Sequence, residues 1–320
     1  MNYEGKNVLI TGGLGAVGSN LAMKLNESKA NVTILDNMLE GSGANMDNIC
    51  EIKDNVKVII GDIRNEKDVI KSIKDQEIIF NCAAQISHVA SMENPYLDID
   101  INLKGTLVLL ETCRKMNDKV KIVYTGTRGQ IGPLKKLPAD ETHIDNPTDI
   151  YGVNKLTAEN YHLIYNKVYG IKSCSIRMVN TFGPRAQIDH PRHSIVNWLI
   201  GMAIRDQTIT VYGDGKQKRD CNYMMDAVEA ILMAGSSEKT NGKFYNLGSG
   251  NPLPFVEIVK KIIEVAGTGT WKSVPWPKER KNIEVGDSSL SYESIKNDLG
   301  WEPKTSLEDG LRKTINFYRR

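Results

Sequence analysis

TGGLGAVG, residues 11–18, follows an apolar run and precedes a segment with helical spacing over 19–25. A glycine-rich turn between a strand and a helix brings backbone N–H groups and the positive end of the helix dipole to one point. Gly12 permits the tight turn, Gly15 allows an anion to approach the backbone, and Gly18 lets the helix pack closely on the strand. The stretch therefore predicts a strand, a turn and a helix that bind a phosphate group.

Outward from this turn, the first half of the chain alternates β-branched runs with helical segments. The strand-like runs are NVLIT (7–11), NVTILD (31–36), VKVIIGD (56–62), EIIFNCAA (77–84) and VKIVYTG (120–126). Apolar strands separated by helix-length crossovers are typical of a parallel sheet with helices on both faces. We therefore predict an α/β protein with a Rossmann-type, doubly wound parallel sheet that binds a dinucleotide.

The pattern changes after residue 178, where loops rich in proline, glycine and charge begin. A helical segment and a short strand at about 222–248 restore the earlier pattern before further helices and loops follow. We predict a dinucleotide-binding Rossmann domain over 1–178, completed by this return segment. Residues 179–221 and 249–320 are predicted to form a smaller mixed α/β lobe that binds the substrate.

Composition and charge exclude several classes of partner. The 320 residues are 40% hydrophobic and 25% charged, as in an ordinary globular protein. The 41 basic and 39 acidic residues leave a net charge of +2 without a block of one sign, so we expect no nucleic-acid or membrane partner. No apolar run reaches membrane-spanning length, and no secretion signal is evident. The partner is therefore expected to be a small molecule.

Cysteine and histidine usage predicts the compartment and the absence of a metal. The five cysteines form no CxxC pair, so we expect reduced thiols in a cytoplasmic protein. HPRH (190–193) offers two histidines three positions apart, but no third ligand is evident. We predict no bound metal.

Strand ends in the first half indicate which dinucleotide binds. Asp36 lies 18 positions after Gly18, where a carboxylate accepts hydrogen bonds from ribose hydroxyls and repels a 2′-phosphate. This combination predicts NAD rather than NADP. Asp62, after the third strand, is a candidate for contact with adenine, although an Asp at a strand end is often only a turn residue.

YGVNK, residues 151–155, contains the candidate catalytic pair. Tyr151 and Lys155 are four positions apart in a predicted helix, so their side chains lie on one face. Because a nearby ammonium favours the phenolate, we expect Lys155 to lower the pKa of Tyr151 towards working pH, as a tyrosine general base requires. A Tyr four residues before a Lys indicates a catalytic pair only when a dinucleotide site and a hydroxyl at a strand end accompany it.

With these motifs, the chain resembles the extended short-chain dehydrogenases/reductases of the NAD-dependent epimerase/dehydratase family, which act on nucleotide-sugars. The resemblance spans nearly the whole chain. Besides Asp36, the matching stretches are TGGLGAVG, NCAAQ (81–85), INLKGT (101–106), YGVNK, SIRMVNTFGPR (175–185), VYGDGKQKRD (211–220), FYNLGSG (244–250) and LGWEPKTSLEDGL (299–311).

The resemblance implies a role for each matching residue. Tyr151 would be the acid/base, Lys155 would bind the nicotinamide ribose, and Thr127 would supply the hydroxyl usually filled by Ser or Thr. The cofactor site predicted on these grounds comprises Gly12, Gly15, Ala16, Val17, Gly18, Asp36, Asn37, Asp62, Ile63, Ala83, Ala84, Gln85, Asn102, Thr125, Tyr151 and Lys155. Alternatively, Thr125 and Thr127 are ordinary β-branched strand residues.

Three further residues are implied to hold the substrate. Asn180 would lie near the diphosphate, and Arg219 and Arg280 would pair with it from the second lobe. The planar fork of arginine suits a phosphate group, which makes both positions chemically reasonable. Each arginine is alternatively a solvated surface charge, because each has charged neighbours in the sequence.

The loop YTGTRGQIG, residues 124–132, narrows the reaction. The family's 4,6-dehydratases resemble one another in carrying an Asp and a Glu directly after the threonine, and Arg128 and Gly129 stand at these positions here. Glycine has no side chain and arginine stays protonated, so neither can transfer the proton. We therefore expect a nucleotide-sugar 4-epimerase with tightly held, recycled NAD. Arg128 is a candidate for recognising an acidic or unusually substituted sugar, alongside Thr127, or is tied to a neighbouring carbonyl or carboxylate.

Two other functions stay open at this point. A nucleotide-sugar C4 dehydrogenase, or a dehydratase/lyase acting through a 4-keto intermediate, begins with the same hydride step. A module that only senses NAD(H) is a non-enzymatic alternative, since a fold does not dictate a function. The presence of Tyr151, Lys155 and Thr127 favours an enzyme.

The resemblance is the basis for our expectations about the oligomeric state and the nucleobase of the substrate. It suggests a homodimer packed through the helix that ends near Cys113 and the helix that carries Tyr151. The leucines of these helices, Leu107, Leu110, Leu156 and Leu163, could equally be intramolecular core. UDP is the expected nucleotide, with GDP and CDP open.

Overall fold

The computed structural model describes residues 2–278 and 286–319, and these carry a seven-stranded parallel sheet. Its strands are Asn7–Thr11 (β1), Asn31–Asp36 (β2), Lys57–Ile60 (β3), Ile78–Asn81 (β4), Lys121–Thr127 (β5), Lys172–Met178 (β6) and a return strand, Phe244–Leu247. The order across the sheet is return strand, β6, β5, β4, β1, β2, β3. The predicted Rossmann-type fold is confirmed. Because the order reverses between β4 and β1, their carboxyl ends open a crevice for a ligand.

Helices cover both faces of the sheet and build the rest of the molecule. They are Ala16–Glu27 (α1), Glu66–Ile73 (α2), His88–Glu93 (α3), Pro95–Asp98 (α4), Gly105–Met116 (α5), Ile150–Tyr169 (α6), Ile195–Ile204 (α7), Met224–Gly235 (α8), Phe255–Ala266 (α9), Glu293–Leu299 (α10) and Leu307–Tyr318 (α11). A π-helical turn, Ile99–Lys104, joins α4 to α5. Short 3-10 turns occur at Met46–Ile49, Arg128–Gln130 and Glu238–Thr240.

Side-chain alternation along β1 explains the two layers of core. Val8 and Ile10 pack into a buried cluster with Leu21 of α1, while Leu9 packs into a second cluster with Leu109 of α5. Successive residues of a strand point to opposite faces, so β1 supplies both clusters. This is why its sequence is continuously apolar.

The residues outside the central sheet form a cluster of their own. Val196, Ile209 and Ile258 are buried together there, between α7, α9 and α11. Short strands surround it at Asn180–Phe182, Thr208–Tyr212, Lys218–Arg219, Cys221–Tyr223, Leu253–Pro254 and Thr270–Val274. The boundaries predicted for the two domains stay a proposal about which segments fold together.

Helix α6, which carries YGVNK, has clear signals at both ends. Asp149 caps its start by accepting a 2.8 Å hydrogen bond from the Gly152 N–H. Gly170 ends it in the left-handed conformation, with φ of 74°. The helix is therefore anchored where its first turn meets the loop after β5.

Two further findings concern the part of the chain that the structure describes. No helix within it is both long and apolar enough to cross a bilayer. All five cysteines are free thiols, and Cys113 and Cys174 are buried. The cytoplasmic location stays a prediction.

Candidate active site

The glycine-rich turn has the shape of an anion cradle. A Cβ at Gly12 would lie 2.8 Å from the backbone of Ala83, and one at Gly18 would lie 2.3 Å from the Gly12 carbonyl oxygen. At Gly15 the nearest atom would be 3.4 Å away, so the backbone is open on this side. Helix α1 begins at Gly15 without a side-chain cap or an acidic residue in its first turn. Its N–H groups and dipole therefore suit the pyrophosphate of a dinucleotide.

Asp36 is held beside this turn by the backbone. Its Oδ2 atom accepts a 3.0 Å hydrogen bond from the Leu14 N–H, and Oδ1 accepts one of 2.8 Å from the Met38 N–H. Burial raises the pKa of Asp36, and the two backbone hydrogen bonds oppose that shift. The carboxylate thus stands at the end of β2, next to β1, where the ribose is predicted.

Asp62 is engaged in a turn at the end of β3. Arg64 binds both of its oxygens, at 2.9 Å through Nε and 2.6 Å through Nη2, and Asn37 donates to Oδ2 at 2.9 Å. Mainly through the hydrogen bond from Arg64, the pKa of Asp62 falls to about 2. These hydrogen bonds show that Asp62 stabilises the turn, and its contact with adenine stays a prediction.

The segment after β4 is held in place by Asn102. The Asn102 Oδ1 atom accepts from the Gln85 N–H at 3.1 Å, and Nδ2 donates to the Gln85 carbonyl at 2.9 Å. Asn102 is only 1% exposed. Asn102 therefore supports the backbone of Gln85, and its part in the cofactor site stays a prediction.

A cavity of about 880 Å³ lies at the carboxyl ends of β1, β4, β5 and β6. The predicted residues that line it are Ala16, Val17, Ala84, Thr125, Thr127, Arg128, Tyr151, Lys155, Asn180 and Arg219. The described residues predicted for the site but outside this lining are Gly12, Gly15, Gly18, Asp36, Asn37, Asp62, Ile63, Ala83, Gln85 and Asn102. Arg280, predicted to bind the diphosphate, lies outside the described residues.

Lys155 reaches across from α6 to the end of β5. Its Nζ atom donates a 2.7 Å hydrogen bond to the Thr125 carbonyl oxygen and lies 4.1 Å from the ring centre of Tyr124. Burial lowers the pKa of Lys155 to about 8. At neutral pH the side chain is therefore mostly an ammonium, held at a fixed point of the cavity.

Tyr151 differs from the expectation drawn from the sequence. Burial raises the pKa of Tyr151, and the hydrogen bond with Thr127 only partly opposes this. The carboxylates of Asp98 and Asp149 raise it further. For the polypeptide alone, the pKa shift of Tyr151 is opposite to the expected lowering by Lys155, because removing the phenolate from water outweighs the hydrogen bond with Thr127.

The loop after β5 is a closed 3-10 turn. The Thr127 hydroxyl accepts from the Gly129 N–H at 3.2 Å, and the Gln130 side chain accepts from the Thr127 N–H at 2.7 Å. Gln130 is fully buried, so it shapes the loop, whereas Arg128 and Gly129 line the cavity. The loop thus presents Thr127 and Arg128 to a substrate.

His88 and Asp149 are among the residues of this cavity that sequence reasoning missed. The His88 Nδ1 atom lies 2.5 Å from Asp149 Oδ2, and its ring stands edge-on to Tyr151 with ring centres 4.9 Å apart. Burial acts to raise the pKa of Asp149, but the hydrogen bond from His88 holds it below its usual value, with a smaller contribution from the charge of Arg128. An Asp directly before a helical motif is an N-cap signal, so the capping role of Asp149 could have been predicted from the sequence. His88 comes from a distant segment and carries no such signal.

The opposite end of the cavity offers basic and aromatic groups. Arg219 donates to the carbonyls of Lys218 and Gly286, at 3.0 and 2.7 Å, and Asn180 donates to the Asp220 carbonyl at 3.0 Å. The rings of Tyr212 and Trp276 also line the cavity, with centres 5.4 Å apart. The lining here therefore includes a guanidinium group, an amide and two aromatic rings.

The HPRH segment forms part of the cavity wall. His193 and Arg192 line it, and the His193 ring packs near Gly43 from the loop after β2. Burial lowers the pKa of His193 to about 4. Within residues 2–278 and 286–319, no group of three or more His, Cys, Asp or Glu side chains is arranged to hold a metal ion.

Comparison with known proteins identifies relatives along the whole chain. The model of the family described as GDP-mannose 4,6 dehydratase matches residues 9–314. A Methanocaldococcus jannaschii protein, provisionally named UDP-glucose 4-epimerase, is 34% identical over 98% of both chains. The structure of UDP-glucose 4-epimerase from Thermotoga maritima with UDP-glucose is 31% identical over 98% of both chains, with a TM-score of 0.88.

A dehydratase is similar to nearly the same degree. The structure of dTDP-glucose 4,6-dehydratase from Bacillus anthracis in complex with NAD is 28% identical, covers 98% of this chain and 96% of its own, and has a TM-score of 0.85. Such NAD-bound neighbours confirm the predicted cofactor. Epimerases and dehydratases both match, so likeness alone selects neither reaction.

Proposed function

This chain belongs to the extended short-chain dehydrogenase/reductase family of NAD-dependent nucleotide-sugar epimerases and dehydratases, and we propose that it is a nucleotide-sugar 4-epimerase. The observation that carries the proposal is the loop after β5. It presents Thr127 beside Tyr151, while Arg128 and Gly129 offer no group able to expel a sugar hydroxyl. Thr127, Tyr151 and Lys155 supply what reversible oxidation at C4 needs.

The side chains divide this work between them. Tyr151 accepts the proton of the C4 hydroxyl and later returns it. Thr127, which is hydrogen-bonded to the Tyr151 phenol, orients the C4 hydroxyl. Lys155, anchored on Thr125, binds the nicotinamide ribose. The chemistry supplied by bound NAD is reversible hydride transfer at C4, with return to the opposite face of the sugar.

The nucleotide end of the substrate is proposed to lie between Asn180, Arg219 and the two aromatic rings. Arg219 suits the diphosphate because guanidinium binds phosphate in a planar, bidentate manner. Tyr212 and Trp276 offer faces on which a base can stack. We propose UDP as the nucleotide, since the Thermotoga maritima epimerase was solved with UDP-glucose. GDP and CDP are tested beside it.

One experiment tests the reaction. The NAD-loaded protein is incubated in deuterated water with UDP-, GDP- and CDP-sugars, and the sugar protons are followed by NMR. The expected result is inversion at C4 with the C4 proton retained, because the hydride returns internally. No inversion and no reduced cofactor with any sugar would contradict the proposal and favour a module that only senses NAD(H).

The same experiment separates the other enzymatic functions. Accumulation of a 4-keto sugar with stoichiometric reduced cofactor would identify a C4 dehydrogenase. A 4-keto sugar that has lost a hydroxyl would identify a dehydratase/lyase. Loss of a hydroxyl would show that a group outside the loop after β5 expels it.

A homodimer through α5 and α6 is the proposed assembly. Helix α6 exposes Val153, Ile164 and Val168, at 47%, 49% and 62% of their surfaces, and α5 exposes Met116. Apolar side chains clustered on neighbouring helices favour a partner. Leu110 is fully buried in the core, so it is not part of this surface. Sedimentation of the wild-type protein and of Ile164→Asp tests the proposal, which predicts a dimer and a monomer respectively.

A further inference from the structure

His88 and Asp149 form a pair whose geometry suits proton transfer. A carboxylate 2.5 Å from Nδ1 favours the tautomer that carries its proton on Nδ1. Nε2 has no hydrogen-bond partner among the residues described here, and the His88 side chain is 46% exposed. The nitrogen that can accept a proton is therefore open to the cavity.

The surrounding residues hold the imidazole in one place. His88 opens helix α3, where the Ser87 hydroxyl accepts from the Ala90 N–H at 3.2 Å and the Gln85 side chain accepts from the Ser87 N–H. A Cβ at Gly129 would lie 3.1 Å from His88 Cε1, so the ring fills the space that a side chain at 129 would need. Because Gly129 has no side chain, the imidazole of His88, from another segment of the chain, can occupy this part of the site.

Neighbouring ionisable groups are less suited to take a proton from a substrate. Arg128 stays protonated at any physiological pH. The ammonium of Lys155 is bonded to the Thr125 carbonyl. Asp149 is committed through Oδ2 to His88 and through Oδ1 to the first turn of α6. Compared with these three side chains, the imidazole beside Tyr151 is the one with a nitrogen lone pair free of hydrogen bonds.

We propose that His88, positioned by Asp149, is a second acid/base of this site and exchanges a proton on the sugar carbon next to a C4 ketone. Nε2 takes the proton, the C–H electron pair forms the C=C bond of an enolate, and the carbonyl pair moves to the C4 oxygen. Tyr151 and Thr127 stabilise that oxygen by hydrogen bonds. Return of a proton from the imidazolium restores the ketone, so no oxidant or reductant is consumed.

The inference rests on the proposed nucleotide-sugar substrate, but it is tested without the hydride step. UDP-4-keto-6-deoxyglucose is supplied at saturating concentration to the NAD-loaded protein in deuterated water, and loss of the H3 and H5 signals is followed by NMR against a protein-free sample. The wild-type protein is expected to accelerate exchange at one of these carbons. His88→Gln is expected to slow it at least a hundredfold, within the usual range of general acid–base catalysis.

Two further variants separate chemistry from packing. Asp149→Asn keeps a good cap for α6 but removes the charge that pairs with an imidazolium, so exchange is expected to fall about tenfold. His143→Gln changes a histidine that does not line the cavity, and exchange is expected to stay within about twofold of the wild type. Nitrogen-15 NMR of the histidines should show the Nδ1-protonated tautomer of His88, and Asp149→Asn should lose it.

The outcomes are distinguishable from those of the epimerase proposal. Exchange that is absent in the wild type, equal in His88→Gln, or lost in His143→Gln instead would overturn the inference, even where C4 inversion is observed. Exchange that depends on His88 without C4 inversion of any nucleotide-sugar would support the inference and contradict the epimerase. Thermal unfolding of each variant shows whether a loss reflects misfolding, and the tautomer signal reports on the pair without turnover.

Discussion

The ammonium of Lys155 donates a 2.7 Å hydrogen bond to the carbonyl oxygen of Thr125, which fixes α6 to the end of β5. The bond places Lys155 and Tyr151 against the loop that carries Thr127. It also keeps a charge where only 3% of the residue is exposed. The site therefore gains its geometry at a cost in folding stability, and that cost depends on pH.

Replacing Lys155 with Met should stabilise the NAD-free protein at pH 7. With a folded pKa of about 8 against 10.5 unfolded, the buried ammonium costs roughly 3 kcal/mol below pH 8. Loss of the hydrogen bond to Thr125 offsets about 1 to 1.5 kcal/mol of this. Urea unfolding should thus show a gain of roughly 2 kcal/mol in Lys155→Met at pH 7.

The sign of the pH dependence provides the control. Between pH 8 and about 10.5 the unfolded chain binds more protons at Lys155 than the folded one, so wild-type stability rises with pH and the advantage of Lys155→Met shrinks. Lys167→Met, at an exposed position of α6, should show no such trend. An advantage of Lys155→Met that persists unchanged at pH 10 would contradict this account.

Gly15→Ala and Gly18→Ala should separate cofactor binding from folding. Gly15 has φ of −78° and open space beyond it, so alanine fits the folded chain but intrudes on the predicted pyrophosphate. We expect NAD affinity, measured by calorimetry, to fall at least tenfold while the cofactor-free melting temperature is preserved. Gly18→Ala meets the Gly12 carbonyl at 2.3 Å and should lose roughly 1 to 3 kcal/mol of stability as well. Equal melting temperatures for the two variants would refute the distinction.

Tyr151→Phe should abolish turnover while leaving NAD bound. General acid–base catalysis contributes about 10² to 10⁴ in rate, so kcat with the best nucleotide-sugar should fall at least a hundredfold. Tyr161→Phe changes a partly buried tyrosine on the same helix and should retain activity. The rates are measured by NMR of the sugar, with cofactor content checked by absorbance. Turnover that survives in Tyr151→Phe would remove Tyr151 from the catalytic role.

Arg177→Met should destabilise the fold far more than loss of a surface ion pair. Arg177 is 2% exposed and bonds the buried Glu159 at 3.1 Å through Nε and Asp145 at 2.8 Å. Its removal leaves Glu159 unpaired, at a cost of about 3 to 5 kcal/mol. Lys172→Met breaks an exposed pair with Glu238 and should cost no more than about 1 kcal/mol. Similar urea midpoints would show that the buried pair is not needed for stability.

Arg128→Ala tests recognition of the sugar. If Arg128 binds the substrate, KM for the true nucleotide-sugar should rise at least tenfold with a smaller change in kcat, because the lost contact acts in binding. Arg192→Ala, at another cavity-lining arginine on the HPRH segment, is the comparison. Unchanged kinetics in Arg128→Ala would show that the charge of Arg128 acts on the loop after β5 and on the Asp149 carboxylate instead of on the substrate.

Much of the fold could be predicted from local patterns in the sequence. The strands β1 and β2 begin and end where the sequence predicted, because buried apolar runs are local properties. The strands β3 and β4, at Lys57–Ile60 and Ile78–Asn81, are shorter than predicted. The π-helical turn at Ile99–Lys104 carries no sequence signal.

The sequence by itself determined the glycine-rich turn between β1 and α1, the acidic strand end at Asp36 and the placement of Tyr151 and Lys155 on one helix. Each depends on residues close together in one strand, turn or helix, where spacing decides geometry. Only the tertiary structure decided the pKa direction of Tyr151 and the meeting of His88 with Asp149 across Gly129. Burial and contact between distant segments arise from packing of the whole chain, and no local pattern of residues specifies them.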